Sequence, residues 1–172
     1  MNAAHLHLVV NHLPVAGLLF GIALFAAARI RRSEDLARAA LWTFFLTGVA
    51  GLGAYLTGSG AEETVEGLAG VSERLVERHE EAALLATAAA GVAGLIALTG
   101  LIGLRRGSAF PGWFNAAMLA GALVAGGLMA RAANLGGQIR HPEIQGTALA
   151  GPGEEAGGGE HDTGGDADED DD

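Results

Sequence analysis

Apolar residues occur along the chain in four long runs that are nearly free of charge. They do not follow the 3.6- or 2.0-residue period of a soluble core. The runs cover residues 13–30 (with a start as early as Leu6), 39–57, 82–104 and 113–130. Each has roughly 18 to 23 residues, enough for a helix to cross a hydrocarbon core about 30 Å thick. Because a lipid-embedded segment must satisfy its own backbone, the pattern predicts an all-α bundle of four transmembrane helices.

The first run is interpreted as a retained helix and not as a signal peptide. No basic residue precedes it, since the first arginine is Arg29 at its far end, and no small-residue cleavage site precedes a soluble domain. A soluble bundle of very apolar helices is the alternative, but no run has a polar face.

The positions of the arginines predict the orientation. Six of them lie in the links between runs one and two and between runs three and four: Arg29, Arg31, Arg32, Arg38, Arg105 and Arg106. The link over residues 58–81 is mainly acidic. Because cytoplasmic loops are rich in Arg and Lys, the arginine links are predicted to be cytoplasmic. Both termini and the 58–81 link are then outside, in a bacterial inner membrane.

Two further segments lie outside the runs. Leu68, Val71, Leu75 and His79 fall on one helical face, which predicts a short amphipathic helix on the outer surface before the third run. The C-terminal tail lacks apolar side chains that could form a core and is rich in glycine, so it is predicted to be disordered. The predicted organisation is a membrane domain over residues 1–137, an outer linker over 138–152 and an acidic tail over 153–172.

Composition removes several classes of function. The chain has no cysteine, which excludes disulfides, cysteine-based zinc sites, iron–sulfur clusters and covalently attached haem. It has no lysine and a net charge of −10, which disfavours nucleic-acid binding. The glycine-rich stretch that begins at Gly58 lacks the Lys-Ser/Thr of a phosphate-binding loop. An electron-transfer or metal-binding component is therefore favoured over a hydrolase or transferase.

Histidine is the residue type that carries candidate chemistry. Every histidine falls on the predicted outer side or in the tail: His5, His7, His12, His79, His141 and His161. Ionisable groups near a membrane suggest function, and neutral imidazole binds metals and haem iron. Three chain segments converge there, carrying His12, His79 and His141. Counting back from the arginines places His12 deeper than His79, by one to two turns or more. His79 is therefore predicted to pair with His5, His7 or His141 before His12.

Three hypotheses follow. In the first, the protein binds haem b for electron transfer, with His79 and one of the other four body histidines as axial ligands, and Asn11 or Arg131 tuning the site. In the second, a divalent ion (zinc, copper or nickel) is held for sensing, storage or delivery. Its ligands would be His5, His7, His79 and His141, with Glu80 or Glu143.

The third hypothesis is a structural subunit without a cofactor. His12 would then cap a helix, His5 and His7 would anchor at the interface, His79 would belong to a charged helix start, and His141 to a turn. Arg131 is expected to pair with Glu80 or Glu81 before any haem propionate. The tail is either solubilising or a mobile anionic tether, which would attract a basic soluble electron-transfer protein.

Short motifs carry a family resemblance over about 140 residues. They are Asn11-His12-Leu13-Pro14, Thr57-Gly58, His79, Gly136-Gly137 and His141. In these the chain resembles small bacterial four-helix membrane proteins of the DUF2231 type. The layout is also similar to cytochrome b561-type haem proteins, but here the histidines do not occur on both membrane sides. The resemblance implies the architecture and no settled activity.

Overall fold

The computed structural model describes residues 2–65, 70–106, 110–141 and 144, and this part of the chain is helical with no strand. The helices are α1 (Ala3–Val10), α2 (His12–Arg31), α3 (Glu34–Val65), α4 (Glu73–Arg105) and α5 (Gly112–Arg140). Four stretches are long and apolar enough to cross a membrane, with α1 and α2 together forming the first. The predicted all-α, four-span architecture is confirmed.

Successive long helices pack side by side, and α2 also touches α5, which closes the bundle. Four spans in series leave α1 and the end of α5 at the same end of the bundle. We call it the histidine end; it also contains the end of α3 and the start of α4. The other, which contains the α2–α3 and α4–α5 connections, is the arginine end.

Small residues set the distance between the helices. A Cβ added to Gly48 of α3 would lie 3.0 Å from the Ala90 carbonyl oxygen of α4. Gly94 of α4 lies against the backbone of Phe44 and Phe45 in the same way. The core along α4 is mostly alanine, as at Ala90 and Ala97. Backbones can therefore approach closely where lipid supplies no hydrophobic drive for helix association.

Large apolar side chains point outward on every long helix. Leu19, Leu56, Leu95 and Leu123 are each between 58% and 67% exposed. Such a belt is unfavourable in water and favourable against acyl chains. This arrangement supports a membrane-embedded bundle over a soluble one.

The hydrogen bonding of the first span is interrupted between α1 and α2, because Pro14 has no N–H to donate to the carbonyl of Val10. Asn11 keeps right-handed helical backbone angles. Both α1 and α2 pack along α3 in one antiparallel register, with Ala3 beside Gly60 and Pro14 beside Gly51.

The predicted short outer helix is not a separate element. Residues 73–81 form the first turns of α4, which continues without interruption to Arg105. This stretch contains no proline or glycine and is rich in Glu and Arg, which are good helix formers, so nothing ends the helix at the membrane surface. Leu75 is buried on the predicted apolar face, and Leu68 lies outside the described residues.

Two other helices extend beyond their apolar runs. The third element continues to Val65 and the fifth to Arg140. Residues 138–140 of the predicted linker are therefore helical, while the predicted disordered tail lies outside the described residues. An apolar run marks what lipid can cover, whereas a helix ends only where capping or backbone preference stops it.

A candidate site at the histidine end

His7 of α1 bonds to the end of α3. Its Nδ1 lies 3.0 Å from the Ala54 carbonyl oxygen and 3.2 Å from the Thr57 hydroxyl oxygen. Thr57 itself donates to Ala54. Gly58 leaves the imidazole room, since a Cβ there would lie 3.7 Å from its Cε1. A carbonyl only accepts, so the His7 proton is on Nδ1 and Nε2 is the lone-pair nitrogen.

His79 of α4 makes the same kind of bond to α5. Its Nδ1 lies 2.9 Å from the Ala132 carbonyl oxygen, one turn before Gly136. A Cβ at Gly136 would lie 2.9 Å from Cε1 of the imidazole, so only glycine leaves this space free. Nδ1 again donates, and the unprotonated nitrogen of His79 is Nε2.

The two imidazoles lie at the same end of the bundle. His7 comes from α1 and His79 from α4, and both side chains are partly buried. Each is held by a backbone carbonyl of a neighbouring helix, so neither ring depends on a mobile side chain for its orientation.

Polar groups accompany this pair. Asn11 follows His7 by four residues, on the same side of the chain, and its backbone N–H donates to the His7 carbonyl. Among the described residues the buried Oδ1 of Asn11 has no hydrogen-bond partner. Gln138 is buried near the end of α5 and donates to Asn134. The histidine end is therefore more polar inside than the rest of the core.

The remaining predicted site residues lie apart from the pair or have local roles. His12 is exposed, and its Nδ1 bonds to the carbonyl oxygen of Leu8 at 2.7 Å, four residues earlier in the same span. His5 is exposed, and its backbone N–H donates to Asn2. His141 is exposed and caps α5 through its N–H to Gly137. Glu80 is exposed beside His79.

The structure corrects one predicted contact. Arg131 is exposed and forms no ion pair with Glu80 or Glu81 in the described part of the chain, whose ion pair is Arg38–Asp35. Both partners are exposed to solvent there, where an ion pair gains too little to fix long side chains. The described residues also contain no group of three or more His, Asp or Glu side chains placed to hold a metal ion; Glu143 and His161 lie outside them.

Sequence reasoning named every histidine but did not separate the pair from the others. In the sequence, Thr57-Gly58 and Gly136-Gly137 were recognised as motifs but had no assigned role. The structure places Thr57 and Gly58 beside His7, and Gly136 beside His79. A small residue opposite each imidazole was the available signal. Comparison of the chain with protein-family models, with curated proteins and with solved structures finds no match.

Proposed function

We propose that the protein binds haem b at the histidine end, with His7 and His79 as the axial ligands, and acts as an electron-transfer component of a bacterial membrane. The observation that carries this proposal is the fixed state of both rings. Each donates Nδ1–H to a backbone carbonyl, which makes Nε2 the basic nitrogen. Metal-binding histidines are commonly oriented by such a bond on the other ring nitrogen.

The number of ligands also supports haem over a bare ion. A six-coordinate haem iron needs two protein ligands, because the macrocycle supplies the other four. Structural zinc takes four protein ligands, and catalytic zinc takes three. The two imidazoles that the histidine end holds in this way match the first requirement. Bound haem would supply one-electron chemistry; the chain would hold it, orient the ligands and limit its contact with water.

Depth agrees with this choice of ligands. The sequence count placed His12 too deep to pair with His79 and favoured His5, His7 or His141. Of these, His7 matches His79 in its bond to a backbone carbonyl of a neighbouring helix. Asn11, with its buried oxygen, is the residue best placed to bond a polar group of the cofactor or an ordered water.

The first test is an absorption spectrum of the full chain, purified after expression in haem-replete cells. We expect a Soret band, and we expect its loss in His7→Asn and in His79→Asn. Asparagine is the informative replacement, because its amide can still donate to the Ala54 or Ala132 carbonyl while the nitrogen equivalent to Nε2 is gone. The matched controls are His5→Ala and His12→Ala, which should keep the band.

The outcomes separate the three hypotheses. Without a Soret band in the parent protein, haem binding is wrong. Zinc, copper or nickel detected by elemental analysis, and lost in the same two asparagine variants, would support the divalent-metal hypothesis. If the parent protein contains neither haem nor metal and both asparagine variants fold like the parent, the structural hypothesis holds. The two histidines then only join helices, through hydrogen bonds of roughly 0.6 to 1.7 kcal/mol each.

A further inference from the structure

A cavity lies at the arginine end, remote from His7 and His79. Its volume is about 510 Å³, and it opens between the α2–α3 turn, the end of α4 and the start of α5. We call it the arginine cavity. Arg29, Arg32 and Glu34 supply its charged lining, and Phe25, Leu104 and Phe110 supply its apolar wall.

The positive charges of the arginine cavity exceed its negative charge. Arg29 and Arg32 are exposed, and within the described residues neither forms an ion pair. Glu34 lines the same cavity, which leaves two guanidinium groups against one carboxylate. The mouth is therefore net positive and presents donors suited to a phosphate.

The backbone holds one of these arginines in an unusual place. Arg32 ends α2 in the left-handed conformation, with φ of 51°, a position that usually belongs to glycine or asparagine. Its N–H and that of Ser33 both bond to the Ala28 carbonyl, which closes the turn beneath the cavity. The turn therefore fixes the backbone from which Arg32 reaches the cavity.

The apolar wall points to a ligand with a hydrocarbon part. Phe25 is buried in the core, and the stacked pair Phe110–Phe114 continues the wall into α5. Trp113 is 71% exposed beside it, a position typical of the membrane–water interface. A basic pocket between spanning helices at interface depth suits the headgroup of an anionic lipid.

We propose that the arginine cavity binds an anionic phospholipid, with Arg29 and Arg32 on the phosphodiester and an acyl chain against Leu104 and Phe110. A lipid is favoured over a free phosphate, because the apolar wall would be left uncovered by an ion. This site is independent of haem or metal binding at the other end of the bundle.

The test titrates the purified full chain, in neutral detergent, with phosphatidylglycerol and with phosphatidylcholine of the same acyl chains, following the thermal unfolding midpoint. Phosphatidylglycerol should raise the midpoint, and phosphatidylcholine should not. In the double variant Arg29→Gln, Arg32→Gln the apparent affinity should fall by about 30-fold, since each arginine near an anionic lipid contributes about fivefold.

The matched control is Arg105→Gln, Arg106→Gln, which removes the same charge from the same end of the bundle but outside the cavity lining. It should retain nearly all of the affinity. Glu34→Gln should strengthen binding, because it removes the one carboxylate of the lining. Equal losses in the two double variants would overturn the site in favour of diffuse attraction. An equal midpoint rise with inorganic phosphate alone would overturn the lipid as ligand.

Discussion

At the scale of single residues, the contact between Gly136 and His79 decides how the second imidazole is held. The ring occupies the space that a side chain at position 136 would fill, with Cε1 only 2.9 Å from the added Cβ. The bond to the Ala132 carbonyl fixes the ring in that place. Glycine here provides a close approach between α4 and α5, not a turn.

Gly136→Ala is therefore expected to push the His79 ring off Ala132. Overpacking costs about 1 to 3 kcal/mol, which outweighs the gain in helix propensity of up to about 1 kcal/mol. Gly127→Ala on the same helix meets nothing within 4 Å and should be neutral or stabilising. Denaturant unfolding in detergent measures both. Equal stability of the two variants would show that His79 moves aside without cost.

At the scale of elements, the packing of α1 along α3 places His7. Pro14 interrupts the hydrogen bonding between α1 and α2, because it has no N–H to donate to Val10, and it is buried facing Gly51 of α3. The first span nevertheless continues along α3 in one antiparallel register, which brings His7 to the Ala54 carbonyl.

Pro14→Ala is expected to leave α1 packed against α3, because that packing, and not the proline, holds α1 in place. The packing is measurable as cysteine cross-linking, since the chain contains no cysteine of its own. Ala3→Cys with Gly60→Cys should form a disulfide on mild oxidation, because an added Cβ at Gly60 lies 2.8 Å from the Ala3 Cβ and a small shift brings the pair to the spacing of a disulfide. Adding Pro14→Ala should leave the cross-linked fraction nearly unchanged.

Two controls accompany this measurement. Ala3→Cys alone shows the background from cross-linking between molecules. Ala3→Cys with Thr99→Cys joins positions at opposite ends of the bundle and should give no internal disulfide. A severalfold loss of cross-linking in the proline variant would mean that the proline, and not packing against α3, places α1.

At the scale of the whole molecule, charge distribution predicts how the bundle sits in the membrane. Four spans place both chain ends on one side, and the arginines of the two short connections lie on the other. The positive-inside rule then predicts a cytoplasmic arginine end. The histidine end and the tail would face outward, where a basic electron-transfer protein could be attracted by ten carboxylates.

Single cysteines test this orientation in intact cells with a maleimide that cannot cross membranes. Glu63→Cys, exposed at the histidine end, should be labelled, whereas Arg31→Cys, exposed at the arginine end, should be labelled only after lysis. The reverse pattern would invert the topology. It would also remove the outward partner, while the haem site and the arginine cavity would be unaffected.

Deleting residues 153–172 tests the role of the tail separately. If it attracts a basic partner, the association rate should fall in the deleted protein at low salt, and the two proteins should converge at high salt, where charges are screened. Stopped-flow reduction of a basic soluble cytochrome provides the rate. An unchanged rate and salt dependence would leave the tail a solubilising segment.

The sequence by itself determined the number of spanning helices, because covering about 30 Å of hydrocarbon requires long uncharged runs that composition displays directly. It also brought the histidine-bearing segments to one end of the molecule, since that follows from counting spans. It could not give the helix ends: charged, helix-forming residues continue α4 and α5 past the apolar runs.

Only the tertiary structure showed which histidines bond to a neighbouring helix. His5, His7 and His12 lie within eight residues of one another, and nothing local distinguishes them. The distinction arises because α1 packs along α3 with His7 at the Ala54 carbonyl, while the space above Gly136 admits His79. The arginine cavity likewise joins α2, α3, α4 and α5. Such contacts depend on how helices pack, which a pattern along one chain does not encode.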